Sequence, residues 1–579
     1  MSLLELMVAS SCRISDPCRR ADNDRRQTVQ PDPYDFIVVG AGVAGSVVGG
    51  RLSENPDWRV LVVEAGPEEP SATAVPALVA SPIGTRLDWA YKTQSSDKAC
   101  LSTGGVCSWP RGKMVGGTGA MTGMMYTRGN REIFDDWARA GNVGWSFEEC
   151  LPFFKKSESN RNPEVIDEGY HGTEGPLPVS QFDDWPRMAD DLLRAGGQLG
   201  YRVGDLNGRN QTGFAIAQMM VEGGVRASTS RAYLRPAYRR PNLDVRINSR
   251  VTKIIIDEAS KRALGIKYYT AEGKLVTARA AKEVILAAGA VGSPHLLLLS
   301  GVGPSEDLTR LNIPVVNNLR VGYNLHNHVS VGISFLVDDD GRRRLTEDAL
   351  KRYLENGTGP VGSTGLTQTT AFVRSRFARR VPDLQLFFDG FSAGCSRTGE
   401  EEECEDSCGT RTIGARPTNV MPRSKGELRL RSADPFDPPA IRPGYLEDER
   451  DVEVLVEGIK QAIKIFGTEA MRPWKPRLVK EPAPMCKHIK FGTDDYWRCL
   501  IRTETGPENH PAGSCKMGPV GDPDAVVDPE LRVHGLTNLR VMDASVFPFL
   551  PNSNPVAAIV MLAEKGAHIV SSAWSANRT

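Results

Sequence analysis

The chain has 579 residues, with 71 basic and 71 acidic side chains and a formal net charge of zero. This length exceeds the size at which one hydrophobic core stops growing, so we expect at least two domains or lobes. The balanced charge gives no reason to expect nucleic acid as a partner, and the longest apolar runs, 284–292 and 556–563, are too short for a membrane span.

The first 32 residues form a polar N-terminal tail that we predict to be disordered. Its first nine residues are mildly apolar but contain Glu5 and lack a basic start, so they make a poor signal peptide. Eleven cysteines include three close groups, Cys100 with Cys107, Cys395 with Cys404 and Cys408, and Cys486 with Cys499. Such groups favour disulfides and secretion, while free or buried thiols in a cytoplasmic protein remain the alternative. No CxxC pair recurs, so we expect no zinc site.

Residues 34–66 have the pattern of a strand, a loop, a helix and a second strand. The apolar run 36–39 is followed by Gly40-Ala41-Gly42-Val43-Ala44-Gly45, a GxGxxG loop. Gly40 permits the turn, Gly42 lets the backbone approach a pyrophosphate, and Gly45 lets the helix lie close to the strand. The run 59–63 ends at Glu64, about 20 residues past the glycines, where an acid accepts a ribose hydroxyl. The unit predicts a dinucleotide-binding site, but the motif alone does not distinguish FAD from NAD.

A second glycine cluster occupies residues 109–119. It places Arg111, Lys113 and Thr118 among four glycines, which makes it a candidate anion-binding turn, with a plain surface loop as the alternative. In residues 130–156 and 188–200 the apolar side chains recur at helical spacing, which predicts helices there. Residues 242–257 alternate like a strand pair, and 264–278 predict a hairpin, so a small sheet is inserted here.

Residues 282–289 predict another buried strand, followed by a small-residue turn at 290–294 and a helix at 295–300. This repeats the first strand–turn–helix unit far along the chain, so the nucleotide fold is discontinuous in sequence. Residues 451–466 place their apolar side chains on one face and predict an amphipathic helix.

The C-terminal part contains a compact polar segment, 508–518, with His510, one of only eight histidines. A short strand at 539–542 ends at Asp543. Residues 551–555 then lead into an apolar helix at 556–570, for which Pro555 suits the first position and Asn554 is a natural N-cap.

Several segments now resemble one family. The GxGxxG loop, RGKMVGGTGAM, GAVGSPHLLLLSGVG, HPAGSCKMG and DAS…NSNP…AEKG occur in the order of the glucose-methanol-choline (GMC) family of FAD-dependent alcohol oxidoreductases. Longer phrases such as LNGRNQTGF resemble its arthropod glucose dehydrogenase (quinone) branch. The resemblance implies an α/β fold with two domains. One is a discontinuous Rossmann-like FAD-binding domain, and the other is a substrate-binding domain with a mixed β-sheet covered by helices. It divides the chain into the tail 1–32, an N-terminal region 33–330, a substrate-lobe segment 331–424 with the cysteine-rich loop, and a C-terminal region 425–570.

The family's catalytic pair matches His510 and Asn554. His510 is implied as the base that takes the hydroxyl proton while hydride leaves for the flavin, and an unperturbed pKa near 6.5 would suit it. Asn554 is implied to hydrogen-bond the substrate oxygen, making this a His-Asn member.

The resemblance also implies the cofactor contacts. Val251 matches a position whose backbone holds the adenine, and Asp543 one near the pyrophosphate or ribityl chain. The full set is Gly40, Gly42, Val43, Ala44, Gly45, Glu64, Ala65, Arg111, Met114, Val115, Gly116, Gly117, Thr118, Met121, Thr122, Val251, Ala288, Gly289, Asp543, Ala544, Asn554, Pro555 and Val556.

Two departures from the family pattern occur in the second glycine cluster. Gly119 replaces a usual serine, and Thr122 replaces a usual Asn or His. Met121 stands where some members carry a histidine bonded covalently to FAD, so we expect noncovalent FAD.

The expected reaction oxidises a small-molecule alcohol to an aldehyde, ketone or lactone, with a quinone-like acceptor or oxygen. A sugar, steroid, retinoid or aromatic alcohol would each be compatible. The rival interpretations are an NAD-linked dehydrogenase and a catalytically weak binding paralogue. No pattern predicts the oligomeric state.

Overall fold

The computed structural model describes residues 33–339, 346–392 and 409–576. The predicted disordered tail 1–32 and the cysteine group Cys395, Cys404 and Cys408 lie outside the described residues.

The described strands are mostly short and contribute to two large sheets and several two-stranded ribbons. In chain order they are β1 (Tyr34–Val39), β2 (Val60–Val63), β3 (Tyr91–Lys92), β4 (Ser108–Trp109), β5 (Glu158–Asn160), β6 (Leu177–Val179), β7 (Gly213–Ile216), β8 (Val221–Glu222), β9 (Val225–Arg226), β10 (Leu243–Arg246), β11 (Arg250–Asp257), β12 (Arg262–Tyr269), β13 (Leu275–Leu286), β14 (Val329–Ser330), β15 (Ile333–Asp338), β16 (Thr369–Val373), β17 (Leu384–Asp389), β18 (Thr410–Asn419), β19 (Glu427–Arg429), β20 (Ala440–Arg442), β21 (Arg477–Leu478), β22 (Gly506–Pro507) and β23 (Leu539–Val541).

The described α-helices lie between and after these strands. In chain order they are α1 (Val43–Leu52), α2 (Arg131–Arg139), α3 (Phe147–Ser157), α4 (Arg187–Gln198), α5 (Arg235–Ala237), α6 (Gly289–Leu299), α7 (Ser305–Arg310), α8 (Glu347–Asn356), α9 (Glu449–Phe466), α10 (Asp494–Thr503) and α11 (Val556–Ala576).

The first sheet has the order β10-β2-β1-β13-β12-β11, with β23 also paired to β13. Strands β10, β2, β1, β13 and β23 are parallel, whereas β11, β12 and β13 pair antiparallel. All residues of β2 are buried, as expected for a parallel strand that is covered on both faces. The discontinuous Rossmann-like arrangement is therefore confirmed, because its parallel strands come from residues 34–63, 243–246, 283–286 and 539–541.

Strand β13 joins the inserted hairpin to the parallel sheet. The sequence predicts two separate strands here, but the strand is continuous from Leu275 to Leu286. Its first half alternates between exposed and buried residues and pairs with β12, while its last four residues are all buried between β1 and β23. The burial pattern changes because the strand runs from a half-exposed hairpin into the covered sheet.

Helix α6 begins at Gly289, six residues before the predicted start. Residues 290–294, predicted as a turn, form its first helical residues. Pro294 cannot donate to the carbonyl of Ala290, which would leave that buried oxygen unpaired. The Ser514 hydroxyl donates to it instead at 2.7 Å, so a partner distant in sequence lets the helix start early.

The second sheet has the order β21-β15-β18-β17-β16-β7, and β14 pairs with both β18 and β22. Every pair described in this sheet is antiparallel, so the mixed pairing lies in the first sheet. The amphipathic α9 begins at Glu449, close to its predicted start, and packs against β17 and β18.

Helix α11 closes the fold against α1 and α3. It is longer than the apolar run that predicts it, and Val556–Ser575 is long and apolar enough to cross a membrane by length and composition. However, 67% of its most apolar window is buried inside the protein, as in a core helix.

Two of the predicted cysteine pairs form disulfides, Cys100–Cys107 and Cys486–Cys499. Cys150 and Cys515 are buried free thiols.

Candidate active site

A cavity of about 440 Å³ is lined by residues of both large sheets, and its size is typical of a small-molecule site. Val39 and Val63 end parallel strands of the first sheet there, and Phe387 and Arg416 come from the second. Ligands in open α/β folds bind at the carboxyl ends of parallel strands, so the cavity lies where a nucleotide is expected.

Three helices begin at this cavity, α1 at Val43, α6 at Gly289 and α11 at Val556. None has an acidic residue in its first turn, and no side chain caps α1, whereas the first N–H of α6, that of Gly289, donates to the Asp543 carboxylate. The first N–H groups of a helix lack partners within the helix and carry partial positive charge. The starts of α1 and α11 are therefore suited to bind an anionic ligand.

The two glycine clusters pack backbone to backbone. A Cβ on Gly117 would lie 2.7 Å from the Gly42 Cα, and one on Gly45 would lie 1.8 Å from the Gly40 carbonyl oxygen. The Gly116 N–H donates to Ala41 at 2.7 Å. A side chain at Gly117 would separate the two loops, and one at Gly45 would push α1 away from the turn at Gly40, so both glycines are required by the fold itself.

Two buried acids hold the loops around the cavity. Glu64 accepts hydrogen bonds from the N–H groups of Ala41 at 2.9 Å and Gly66 at 2.8 Å. Burial raises the pKa of Glu64 to about 7, although the hydrogen bonds from these two N–H groups act in the opposite direction and lower it. Asp543 accepts from the Gly289 N–H at 2.9 Å and the Ser293 hydroxyl at 2.5 Å. Each carboxyl is thus positioned by backbone N–H groups at a strand end.

The predicted catalytic pair meets at the same cavity. The Nε2 of His510 lies 3.5 Å from the Nδ2 of Asn554, although the two are 44 residues apart. The His510 backbone N–H donates to the Asn327 side chain at 2.7 Å, which fixes the segment. The Asn554 Oδ1 accepts from Thr127 at 3.2 Å and from Gln385 at 3.0 Å. The amide is therefore oriented by the cavity wall.

The environment of His510 differs from the unperturbed one assumed from sequence. Burial, followed by the neighbouring His328, Arg111 and Arg416, lowers its pKa well below 6.5. The imidazole is consequently neutral at pH 7, which is the form that can accept a proton.

Charged side chains line the cavity beside His510. Arg416 forms an ion pair with Glu508 at 2.8 Å and lies 5.0 Å from the Phe387 ring centroid. Arg111 donates to the Asn509 carbonyl at 2.6 Å. This end of the cavity can therefore both donate to and accept from a polar ligand.

A buried ion network lies behind Thr127. Arg128 pairs with Glu158, and His171 bridges Glu158 at 2.7 Å and Asp205 at 2.8 Å. Burial alone would lower the pKa of His171, but its bonds to Asp205 and Glu158 outweigh burial and raise it. The network anchors the segment that orients Asn554.

Most of the predicted cofactor residues line the cavity, and four do not. Those that do are Gly40, Gly42, Val43, Ala44, Glu64, Ala65, Arg111, Gly117, Thr118, Met121, Thr122, Val251, Ala288, Gly289, Asp543, Ala544, Asn554, Pro555 and Val556. The cavity wall does not include Gly45, Met114, Val115 or Gly116. Gly45 packs on Gly40, Met114 is buried with Met121, Val115 donates to Pro67, and Gly116 donates to Ala41. These four lie one layer behind the wall.

Several lining residues were missed from the sequence. Trp89 stacks on Tyr91 with ring centroids 5.9 Å apart, and Arg250 lies 5.1 Å from the Trp89 ring. His295 and Arg416 also line the cavity. Arg250 is adjacent to Val251, and His295 lies within GAVGSPHLLLLSGVG, so these two residues had a signal in the sequence. Trp89 and Arg416 had none, because their contacts at the cavity join segments distant in the chain.

The glycine at 119 has a local explanation. A Cβ there would lie 2.7 Å from the Val43 Cγ2, at the start of α1. A serine at this position would therefore displace Val43, so the departure fits the residue that faces it.

The donor set fits FAD. The uncapped start of α1 faces the cavity for a pyrophosphate, and Glu64 lines it for a ribose. A Cβ on Gly289 would meet no atom within 4 Å, so the space before α6 is open.

Comparisons with known proteins agree with this geometry. Two family models, both described as GMC oxidoreductase, match residues 34–330 and 422–563. The chain is 48% identical over 581 residues to glucose dehydrogenase [FAD, quinone] of Drosophila pseudoobscura pseudoobscura, covering 100% of this chain and 92% of that protein. It is 36% identical to the mitochondrial choline dehydrogenase of Homo sapiens, covering 93% and 90%.

Solved structures share the fold. A variant of formate oxidase from Aspergillus oryzae superposes with a TM-score of 0.82 at 26% identity, covering 94% of this chain and 99% of that one.

Proposed function

The chain belongs to the GMC oxidoreductase family, and on this premise we propose that it oxidises a hydroxyl-bearing carbon of a sugar and passes the electrons to a quinone-like acceptor. It is an FAD-dependent oxidoreductase that acts on alcohols or sugars. The observation that carries the proposal for the site is the 3.5 Å approach of His510 Nε2 and Asn554 Nδ2 in a cavity where three helices begin.

Each side chain of the pair has one task. Bound FAD supplies the acceptor for the hydride. Neutral His510 takes the hydroxyl proton, so the carbon loses a hydride and the oxygen a proton, and a C=O bond forms. Asn554 donates to the substrate oxygen and orients it, since an amide cannot take up the proton at neutral pH.

The charged end of the cavity favours a polyhydroxylated substrate. Glu508 accepts and Arg416 donates, and both line the cavity next to His510. A sugar presents several hydroxyls that can bond to both groups, whereas a steroid or retinoid would leave this pair without partners from the ligand. The relative's name, glucose dehydrogenase [FAD, quinone], supports the same assignment and the quinone-like acceptor.

The base is tested with His510→Ala. We expect FAD to remain bound and the rate of anaerobic flavin reduction by sugars to fall by about 100-fold or more. The matched control is His488→Ala, because His488 is an exposed histidine away from the cavity. Equal reduction rates in His510→Ala and the unmutated protein would refute His510 as the base. Failure of a broad alcohol panel to reduce unmutated protein would favour the binding paralogue, and a colourless protein the NAD-linked rival.

The substrate class is tested with Arg416→Met. We expect a raised KM for sugars, because the Arg416–Glu508 pair is lost, and an unchanged flavin spectrum. Arg472→Met is the control, since the Arg472 side chain is 79% exposed. If apolar alcohols reduce the flavin faster than any sugar, the sugar assignment is wrong.

The mode of cofactor attachment follows from Met121. A thioether offers no nitrogen for the histidyl bond that some members make, so FAD is held without a covalent bond. Acid precipitation should release all flavin into the supernatant; flavin that stays with the precipitated protein would contradict this.

Secretion is the location that the cysteines favour. Cys100–Cys107 and Cys486–Cys499 are disulfides of a kind that persists in oxidising compartments. Alkylation of protein unfolded in urea should leave these four cysteines unlabelled unless a reductant is added; labelling without a reductant would favour a cytoplasmic location.

A further inference from the structure

His328 faces the predicted base on the side away from Asn554. Its Nδ1 lies 3.1 Å from the His510 Nδ1, with the rings 89° apart and their centroids separated by 5.2 Å. The His328 side chain is fully buried at this contact, and that of His510 is half-buried. Two ring nitrogens at this distance form a hydrogen bond only if one of them carries a proton and the other does not.

Backbone pairing holds the two histidines opposite each other. Strand β14 pairs with β22, and the pairing extends through Glu508, whose N–H donates to the His328 carbonyl at 3.1 Å. It continues to His326 and Ala512, which exchange hydrogen bonds of 3.1 and 2.9 Å. The histidine contact is therefore built into the sheet.

The Asn554 amide determines where the proton lies. Thr127 Oγ1 accepts the Asn554 backbone N–H at 3.1 Å, so its own hydrogen is free to go to Asn554 Oδ1 at 3.2 Å. Gln385 also donates to that oxygen. With Oδ1 established as an acceptor, Nδ2 is the atom that faces His510, and it is a donor.

The single ring hydrogen of neutral His510 can lie on Nε2 or on Nδ1. A hydrogen on His510 Nε2 would face the Asn554 Nδ2 donor, and two donors would oppose each other at 3.5 Å. A hydrogen on Nδ1 leaves a lone pair on Nε2 for Asn554 and the substrate. The hydrogen on Nδ1 then needs an acceptor, and His328 Nδ1 is in place.

We propose that His328 is a positioning residue that accepts a hydrogen bond from His510 Nδ1 and thereby holds the lone pair of His510 on Nε2, facing the cavity. This inference rests on the proposed role of His510 as the base. When His510 takes the hydroxyl proton on Nε2, its Nδ1–H stays bonded to His328. In the imidazolium, the Nδ1 hydrogen is therefore bound by His328, and the Nε2 hydrogen points at the substrate.

The charges around the pair agree with this assignment. Burial, and then His326, lowers the pKa of His328 to about 3, so it is neutral and able to accept. Arg111 and Arg416 face His510 and disfavour its protonation, and the Val420 backbone favours protonation of His328.

The test compares two substitutions of His328 in the FAD-bound enzyme. His328→Phe keeps a ring and removes the acceptor, whereas His328→Asn restores an acceptor oxygen near the Nδ1 position. We expect flavin reduction at saturating sugar to fall about tenfold or more in His328→Phe, with a changed pH profile below neutrality, and to recover in His328→Asn. Equal rates and pH profiles in His328→Phe and the unmutated enzyme would overturn the inference.

A second readout does not depend on activity. In protein labelled with ¹⁵N-histidine at pH 7.5, His510 is identified by the signal missing from His510→Ala. We expect a protonated Nδ1 and a bare Nε2, and a change in this pattern in His328→Asn or His328→Phe, whichever folds. A protonated Nε2 in the unmutated enzyme would refute the inference.

The two proposals fail differently. If His510→Ala reduces flavin normally, the proposed base is wrong, whatever the ¹⁵N spectrum shows. If His510→Ala is inactive but the spectrum shows a hydrogen on Nε2, the base stands and the role of His328 is wrong.

Discussion

Gly42 and Gly45 belong to one loop, but their substitution by alanine should have opposite consequences. A Cβ on Gly42 would have the Gly117 Cα at 3.9 Å as its nearest atom, and Gly42 has an ordinary φ of −73°. A Cβ on Gly45 would lie 1.8 Å from the Gly40 oxygen, which belongs to the backbone. Gly42→Ala should therefore disturb the ligand, and Gly45→Ala the fold.

The expected magnitudes follow from these contacts. For Gly42→Ala, the reduced entropy of the unfolded chain stabilises the protein by about 0.4–1 kcal/mol, and a similar loss at the helix start offsets it. Its methyl group projects into the cavity, and crowding of about 1–3 kcal/mol would weaken FAD binding by about 5- to 150-fold. For Gly45→Ala, the start of α1 must move away from β1, which costs about 3 kcal/mol or more.

Two measurements separate the effects. Thermal unfolding of flavin-free protein reports the fold, and titration with FAD, followed by quenching of flavin fluorescence, reports the dissociation constant. Gly197→Ala is the control, because a Cβ at this helical position meets no atom within 4 Å. An unchanged FAD dissociation constant in Gly42→Ala, or equal destabilisation by Gly42→Ala and Gly45→Ala, would refute the reasoning.

Three further predictions concern pH and the disulfides. Because the pKa of His510 is lowered, the rate of flavin reduction should stay level down to pH 6.5 and fall only below it; a decline centred above pH 6.5 in stopped-flow measurements would contradict this. The raised pKa of His171 gives stability that is complete below pH 6.5 and is lost as pH rises through the folded-state pKa; His171→Asn should remove this slope from urea unfolding, and a persisting slope would assign it to other groups. Replacing Cys486 and Cys499 by serine opens a loop with a sequence separation of 13 and should lower the free energy of unfolding by about 3 kcal/mol; an unchanged urea midpoint would mean that the disulfide is absent in solution.

Local patterns predicted the elements that bury a continuous apolar run or carry a turn signal. Strands β1 and β2, the helix after Gly42 and the hairpin β12–β13 were readable because their period and glycines are local properties. The early start of α6 was not, because the orphaned Ala290 carbonyl is satisfied by Ser514, more than 200 residues away.

The sequence by itself determined the family, the cofactor class and the two residues that meet at the cavity, because each lies in a short motif whose meaning does not depend on distant neighbours. Only the tertiary structure decided the protonation state and the orientation of those residues. The neutral state of His510 depends on its burial beside His328, Arg111 and Arg416, and the orientation of Asn554 on Thr127 and Gln385. Desolvation and hydrogen-bond direction are properties of the space around a group, and that space is assembled from segments that no local pattern connects.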